Sequence, residues 1–160
     1  MIPPREGIKV QINEYEQKNI PEDKIDFYYK EKSNDVKEIL DYLRKHNNKL
    51  IGKLDDKNVL FSINDVYYFE SVDKRTFAYL KKQVFRIESK LQDLESYYSK
   101  LGFIRVNKSV VLNIYKIEFL KSDFNMRVIA YLDNNEKVQI NRSYKPKFNS
   151  FLKKLNEGGF

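Results

Sequence analysis

The spacing of apolar and polar positions changes several times along the chain, and each change marks an element. Ile8, Val10 and Ile12 alternate with Lys9, Gln11 and Asn13, the period of a half-buried strand, and Ile25-Asp26-Phe27-Tyr28-Tyr29 follows the same pattern. Val36, Ile39, Leu40 and Leu43 then recur at helical spacing, with Asn34 placed to cap the start and Arg44, Lys45 and His46 near the negative end of the helix dipole. Residues 1–47 are thus expected to form a small β-β-α region. It is too small to bury much surface alone, so it should pack on the rest of the chain or on a second copy.

Asn47-Asn48 is the expected seam, and beyond it the pattern is one of short strands and turns. Leu50–Leu54 and Val59–Ile63 flank Asp55-Asp56-Lys57-Asn58 as a hairpin. Val66–Glu70 and Thr76–Leu80 flank the charged tip Asp73-Lys74-Arg75, and Gln83–Ile87 follows Lys81-Lys82. A helix fits Ser89–Leu101, with Leu91, Leu94, Tyr98 and Leu101 on one face and Gly102 as its left-handed terminator. Phe103–Val106 reads as extended, Tyr115–Leu120 and Asn125–Leu132 as a pair, and Val138–Ile140 as the return from the tip Asp133–Glu136. A last helix fits Ser143–Leu155, with Tyr144, Phe148, Phe151, Leu152 and Leu155 inward and Pro146 in the first turn, where its missing N–H costs little. The expected class is mostly β, a β-dominated α+β protein, with a domain over residues 48–156 and a tail over 157–160.

Composition supports a folded, strand-rich protein. The 160 residues include 12 Tyr and 11 Phe but only 5 Gly and 4 Pro. The lack of cysteine removes disulfides, thiolate metal sites and thiol nucleophiles. No apolar run approaches the length needed to span a bilayer, and Pro3 and Pro4 follow the first Met without a signal-like segment, so a soluble cytoplasmic protein is expected.

Catalysis finds little support in these residues. The single histidine, His46, stands at a helix end, the five glycines build no phosphate loop, and Asp55-Asp56 lies in a turn signal without further metal ligands. No enzyme activity, cofactor, metal or small-molecule substrate is expected. Charge points elsewhere. Residues 1–50 carry as many acids as bases, so the whole net charge of +7 arises after them. A basic domain beside a neutral one suits a polyanionic partner. Its cations fall at turns and strand ends together with amides and hydroxyls: Lys74-Arg75, Lys81-Lys82, Arg105 to Ser109, and Asn141-Arg142 with Lys145 and Lys147. Arg and Asn can read guanine and adenine edges, while Lys and Ser hold phosphates. Charged residues also favour turns for solvation alone, and these residue types do not separate the two readings.

Three ordered stretches carry a resemblance to a known family. Asp65-Val66-Tyr67-Tyr68-Phe69-Glu70-Ser71 is similar to a strand motif I-x-Y-I-E-S. Phe103 to Asn113, followed by Ile117, is similar to the hallmark F-x-R-[IV]-H-[RK]-S-[YF]-[IL]-V-N. Ile140-Asn141-Arg142-Ser143-Tyr144 is similar to [IV]-S-R-x-Y. The chain from about residue 48 to 156 thereby resembles a LytTR domain, with Asn107 in place of the usual histidine and Asn141 in place of the usual serine.

The resemblance implies an elongated antiparallel β fold with short helices. Its inter-strand loops would enter successive major grooves of double-stranded DNA, and the protein would be a sequence-specific transcriptional regulator binding paired direct repeats. The DNA-facing positions it implies are Lys74, Arg75 and Thr76, then Arg105, Asn107, Lys108 and Ser109, then Asn141 and Arg142, with Arg142 the foremost base reader. About 47 N-terminal residues cannot hold a receiver domain, so the chain looks like the short, receiver-less members. That group implies a small membrane regulatory protein as a partner, while the N-terminal region is read as a homodimerisation or partner-binding segment. Two other classes are weighed beside this one. An RNA-binding module would stack bases on Tyr67, Tyr68, Phe77 and Tyr79. A protein-interaction adaptor would not gather Arg105, Lys108 and Arg142 on one positive surface.

Overall fold

The computed structural model describes residues 12–20 and 25–157, and the chain divides into two units between Asn47 and Asn48. In the first unit, helix α1 spans Asn34–Asn47. Its cap is Ser33 and not Asn34. The Ser33 hydroxyl accepts a hydrogen bond from the Val36 N–H at 3.3 Å, which places Asn34 inside the first turn. Residues 25–29 alternate as a strand would, yet they form none, and Tyr28 is 92% exposed. Alternation marks a residue pattern, but a strand also requires a partner for its backbone. The strand expected at Ile8–Asn13 lies mostly outside the described residues, and its last two, Ile12 and Asn13, are not in a strand. The roles expected of the His46 side chain and of residues 158–160 also lie outside them.

The second unit is built on two antiparallel sheets. The larger joins β1 (Lys49–Leu54), β2 (Lys57–Ser62), β3 (Val66–Val72), β4 (Arg75–Leu80), β5 (Val84–Ile87), β6 (Phe103–Arg105) and β7 (Val110–Asn113) in the order β2-β1-β5-β4-β3-β7-β6. The smaller joins β8 (Ile117–Ser122), β9 (Val128–Leu132) and β10 (Lys137–Ile140) in the order β10-β9-β8. Helix α2 (Leu91–Tyr98) continues as a 3-10 turn to Leu101 and stops at Gly102, whose φ of 95° is the left-handed value a side chain would resist. Helix α3 spans Lys145–Asn156, with proline in its first turn.

The β6–β7 end of the large sheet is buried on both faces, and this organises the unit. On one face, Phe103 and Val111 join Phe61, Phe69, Phe85, Leu91 and Leu94 in a core roofed by α2. On the other, Ile104, Val110 and Leu112 join Leu132, Ile140 and Phe148 beneath the small sheet and α3. Strand β7 carries no strand signal in the sequence. Val110-Val111-Leu112 serves both cores and so lacks the alternation that marks a half-buried strand. A bulge at Tyr67 in the β3–β4 ladder turns Tyr67 as well as Tyr68 toward the second core.

Polar groups tie the sheets at that seam. Buried Asn113 donates from Nδ2 to the Val66 carbonyl at 2.8 Å and accepts the Tyr115 N–H at 3.1 Å, so its buried amide is satisfied. The Tyr67 hydroxyl donates to Asp133 Oδ1 at 2.5 Å, linking β3 to the β9–β10 turn. Burial first, and then the Asp133 carboxylate, push the Tyr67 phenol up to about 12. Unfolded tyrosine loses its proton near pH 10. The unfolded chain is therefore favoured as pH rises from about 10 through 12, and the Tyr67 contribution is fully present only below that window. Urea titrations across pH 9 to 12 should show stability falling, with a shallower fall in Tyr67→Phe; equal slopes would contradict the assignment.

Gly52 marks the tightest approach in the first core. A Cβ there would lie 2.5 Å from Phe85 Cβ and 2.8 Å from a Phe61 ring carbon. Those two rings stack at 4.8 Å, so neither can withdraw alone. Gly52→Ala is expected to cost about 1–3 kcal/mol by overpacking, read as a lower urea midpoint at unchanged slope.

Candidate nucleic-acid interface

Three of the four cation-bearing segments lie at one end of the large sheet, held there by backbone hydrogen bonds; the fourth, Lys81-Lys82, joins β4 to β5 at the opposite end. Strand β3 runs toward the two-residue turn Asp73-Lys74. Both residues have positive φ, 49° and 62°, as the tight hairpin turn that matches strand twist requires. Next to it, β7 begins where β3 ends: the Ser71 N–H donates to the Ser109 carbonyl at 2.8 Å. The β6–β7 loop, Val106–Ser109, therefore sits beside the Asp73-Lys74 hairpin. The third segment joins this loop in turn, because the Asn141 N–H donates to the Val106 carbonyl at 2.9 Å. Lys74, Arg75, Lys108 and Arg142 are all exposed on these segments.

The remaining expected contact residues bond to other parts of the protein or are buried. Arg105 is half-buried, and its Nε donates to the Asn107 carbonyl at 2.9 Å while Nη2 donates to the Lys108 carbonyl. The guanidinium thus clamps the loop from below instead of reaching outward. Asn107 is also engaged: Oδ1 accepts the Ser109 N–H at 2.8 Å, and Nδ2 donates to the Gln139 carbonyl at 3.0 Å, tying the loop to β10. Asn141 accepts from Gln139 Nε2 at 2.9 Å, and its carbonyl receives the Tyr144 and Lys145 N–H groups at the start of α3. Ser109 is half-buried, with both of its backbone groups paired. Thr76 is 8% exposed, facing the interior at the base of the hairpin, so it supports the turn and is removed from any surface contact.

Two residues that the motifs did not single out complete the arrangement. Glu95 on α2 accepts the Arg105 N–H at 3.0 Å and the Lys147 ammonium at 2.5 Å through the same oxygen. Lys147, one of the cations of this region, is thereby paired within the domain. Gln139 is exposed on β10 between the two latched segments. Helical periodicity alone would place Glu95 on the α2 surface, and no sequence signal pairs it with Arg105. Of the four aromatics that would have stacked RNA bases, Tyr67 is buried and Tyr68 stacks on Tyr79 at 4.5 Å, while Phe77 is half-buried on β4.

The fold and its motifs have counterparts among known proteins. Residues 56–153 match the model of the LytTr DNA-binding domain. Similar over 137 residues, at 26% identity, is an uncharacterised HTH-type transcriptional regulator of Staphylococcus aureus strain NCTC 8325, with 84% of this chain and 92% of that protein covered. The sensory transduction protein LytT of Enterococcus faecalis is 26% identical over 98 residues, 61% of this chain and 40% of that protein. Among solved structures, the LytTr DNA-binding domain of a methyl-accepting/DNA response regulator from Bacillus cereus superposes with a TM-score of 0.63 at 26% identity, covering 66% of this chain and 96% of that one. The mostly antiparallel sheets, the three ordered motifs and the family match over more than half the length agree, and the chain belongs to the LytTR DNA-binding domain family.

Proposed function

We propose that this chain is a sequence-specific transcriptional regulator that reads duplex DNA with turns instead of a recognition helix. Lys74, Arg75 and Lys108 hold phosphates, and Arg142 reads a base edge in the major groove. The observation that carries this reading is the row of exposed cations on three turns latched together by the Ser71–Ser109 and Asn141–Val106 hydrogen bonds. No two described helices are joined by a short turn, so a helix-turn-helix reader is not available among them. Arg105 and Asn107 brace the loop that presents Lys108.

The finer parts of the reading are paired direct repeats as the site, homodimerisation through the region of residues 1–47, action in the cytoplasm, and restraint by a small membrane protein. Support for a dimer surface comes from α1, whose Val36, Leu40 and Leu43 stay only half-buried and whose Ile39 is exposed. Among the described residues, no helix is long and apolar enough to cross a membrane.

Selection from random duplexes, followed by titration with Arg142→Ala, tests the proposal. The variant should lose about 1–3 kcal/mol and relax preference at one base position. Lys74→Ala and Lys108→Ala should each flatten the salt dependence by about one counterion. Failure of the wild-type chain to enrich any duplex would sink it.

A further inference from the structure

The β8–β9 hairpin carries a feature that neither the motifs nor the fold uses. Its loop, residues 123–127, is well organised: Asp123 Oδ1 accepts the Asn125 and Arg127 N–H groups at 3.0 and 2.9 Å, the Asp123 N–H donates to the Arg127 carbonyl, and the Met126 N–H donates to the Asp123 carbonyl. This frame holds Phe124 fully in solvent, at 108% relative exposure, and Met126 at 65%. Met126 also has a φ of 59°, a conformation that glycine or asparagine adopts more readily. A loop selected for folding alone would place a small polar residue at both positions.

Topology puts this tip beside the cationic turns. Val128 pairs with Ile140, so Arg127 lies at the level of Asn141, and Ser122 pairs with Val128 from the other side. The loop therefore leaves the small sheet at the end where β10 delivers Arg142, within about one to two strand spacings of 4.8 Å each. Lys121 and Arg127, both exposed, flank the apolar tip.

We propose that the 123–127 loop is a fourth DNA-contacting element, in which Phe124, assisted by Met126, packs against the apolar part of a groove, deoxyribose and thymine methyl groups, while Arg127 and Lys121 meet the adjacent phosphates. The inference rests on the proposed DNA-reading function and extends that surface along the duplex. An apolar partner protein fits less well, because Phe124 and Met126 lie between the exposed cations Lys121 and Arg127, at the same end of the small sheet as Arg142.

The test uses the full chain and the duplex enriched by selection. Phe124→Ala should weaken binding roughly fivefold to twentyfold with an unchanged salt slope and an unchanged melting temperature. Phe124→Leu should recover most of the loss, and Arg127→Ala should lower the slope by about one counterion. Hydroxyl-radical footprints should lose protection at one edge of the site in Phe124→Ala. Affinity within twofold of wild type, with an intact footprint, would overturn this inference and leave the Arg142 reading standing. A wild-type chain that enriches no duplex would overturn both.

Discussion

Arg105→Lys, a substitution that keeps the charge, is expected to reduce affinity for the selected duplex about tenfold to a hundredfold, or about 1.4–2.8 kcal/mol. The guanidinium spans two carbonyls, those of Asn107 and Lys108, from two different nitrogens. Lysine offers a single nitrogen and no planar fork, so it cannot hold both at once. Each charge-assisted bond contributes roughly 1.5–3 kcal/mol, and part of that appears as disorder of the loop that presents Lys108. The result separates positioning from contact. A phosphate-binding arginine would be rescued by lysine, and its alanine variant would lose one counterion from the salt slope. A clamp is not rescued by lysine, its slope holds, and the amides of residues 107–109 exchange faster with solvent. Wild-type affinity in Arg105→Lys, with protected loop amides, would return Arg105 to the list of direct contacts.

Phe148→Ala is expected to be the most destabilising of these changes, at about 3–5 kcal/mol. The ring is fully buried among Ile104, Leu132 and Ile140, and Phe151, Leu152 and Leu155 from the same helix pack against that core. A domain of this kind is stable by only about 5–15 kcal/mol in total, so the loss is a large fraction of it. Calorimetry should record a fall in Tm on the order of 10–30 °C. DNA binding should fail at the same temperature, because α3 begins at the Asn141 carbonyl and so anchors the segment that carries Arg142. Phe124→Ala removes the same side chain from a solvent-exposed position and should change stability by less than about 0.5 kcal/mol. Equal melting temperatures for the two variants would contradict the assignment of Phe148 to the core.

Much of the β architecture was legible in the chain. The turn residues at 55–58, 73–75 and 133–136 mark three hairpins, although the first two turns are tighter than those residues indicate, with Lys57 and Asn58 in β2 and Arg75 in β4; Gly102 ends its helix with positive φ, and α3 turns Phe148, Phe151, Leu152 and Leu155 to the core. Local features determine all of these: turn residues tolerate positive φ, and a helix that faces one core shows its period. Residues 25–29 have the pattern of a strand but no paired neighbour among the described residues. Strand β7 is the opposite case, a paired strand whose burial on both faces erases alternation.

The site divides in the same way. Residue type and order alone determined that this is a LytTR-type β protein whose cations gather at turns. They also singled out Lys74, Lys108 and Arg142. Only tertiary structure decided that Arg105 and Asn107 bind their own loop, that Thr76 is buried, that Glu95 pairs with Lys147, and that the 123–127 loop leaves its sheet at the end where β10 delivers Arg142. The physical reason is that a polar side chain at a turn can satisfy either its own backbone or a partner's atoms. That choice depends on which carbonyls and carboxylates the packed strands bring within about 3 Å, and a linear pattern does not contain that distance.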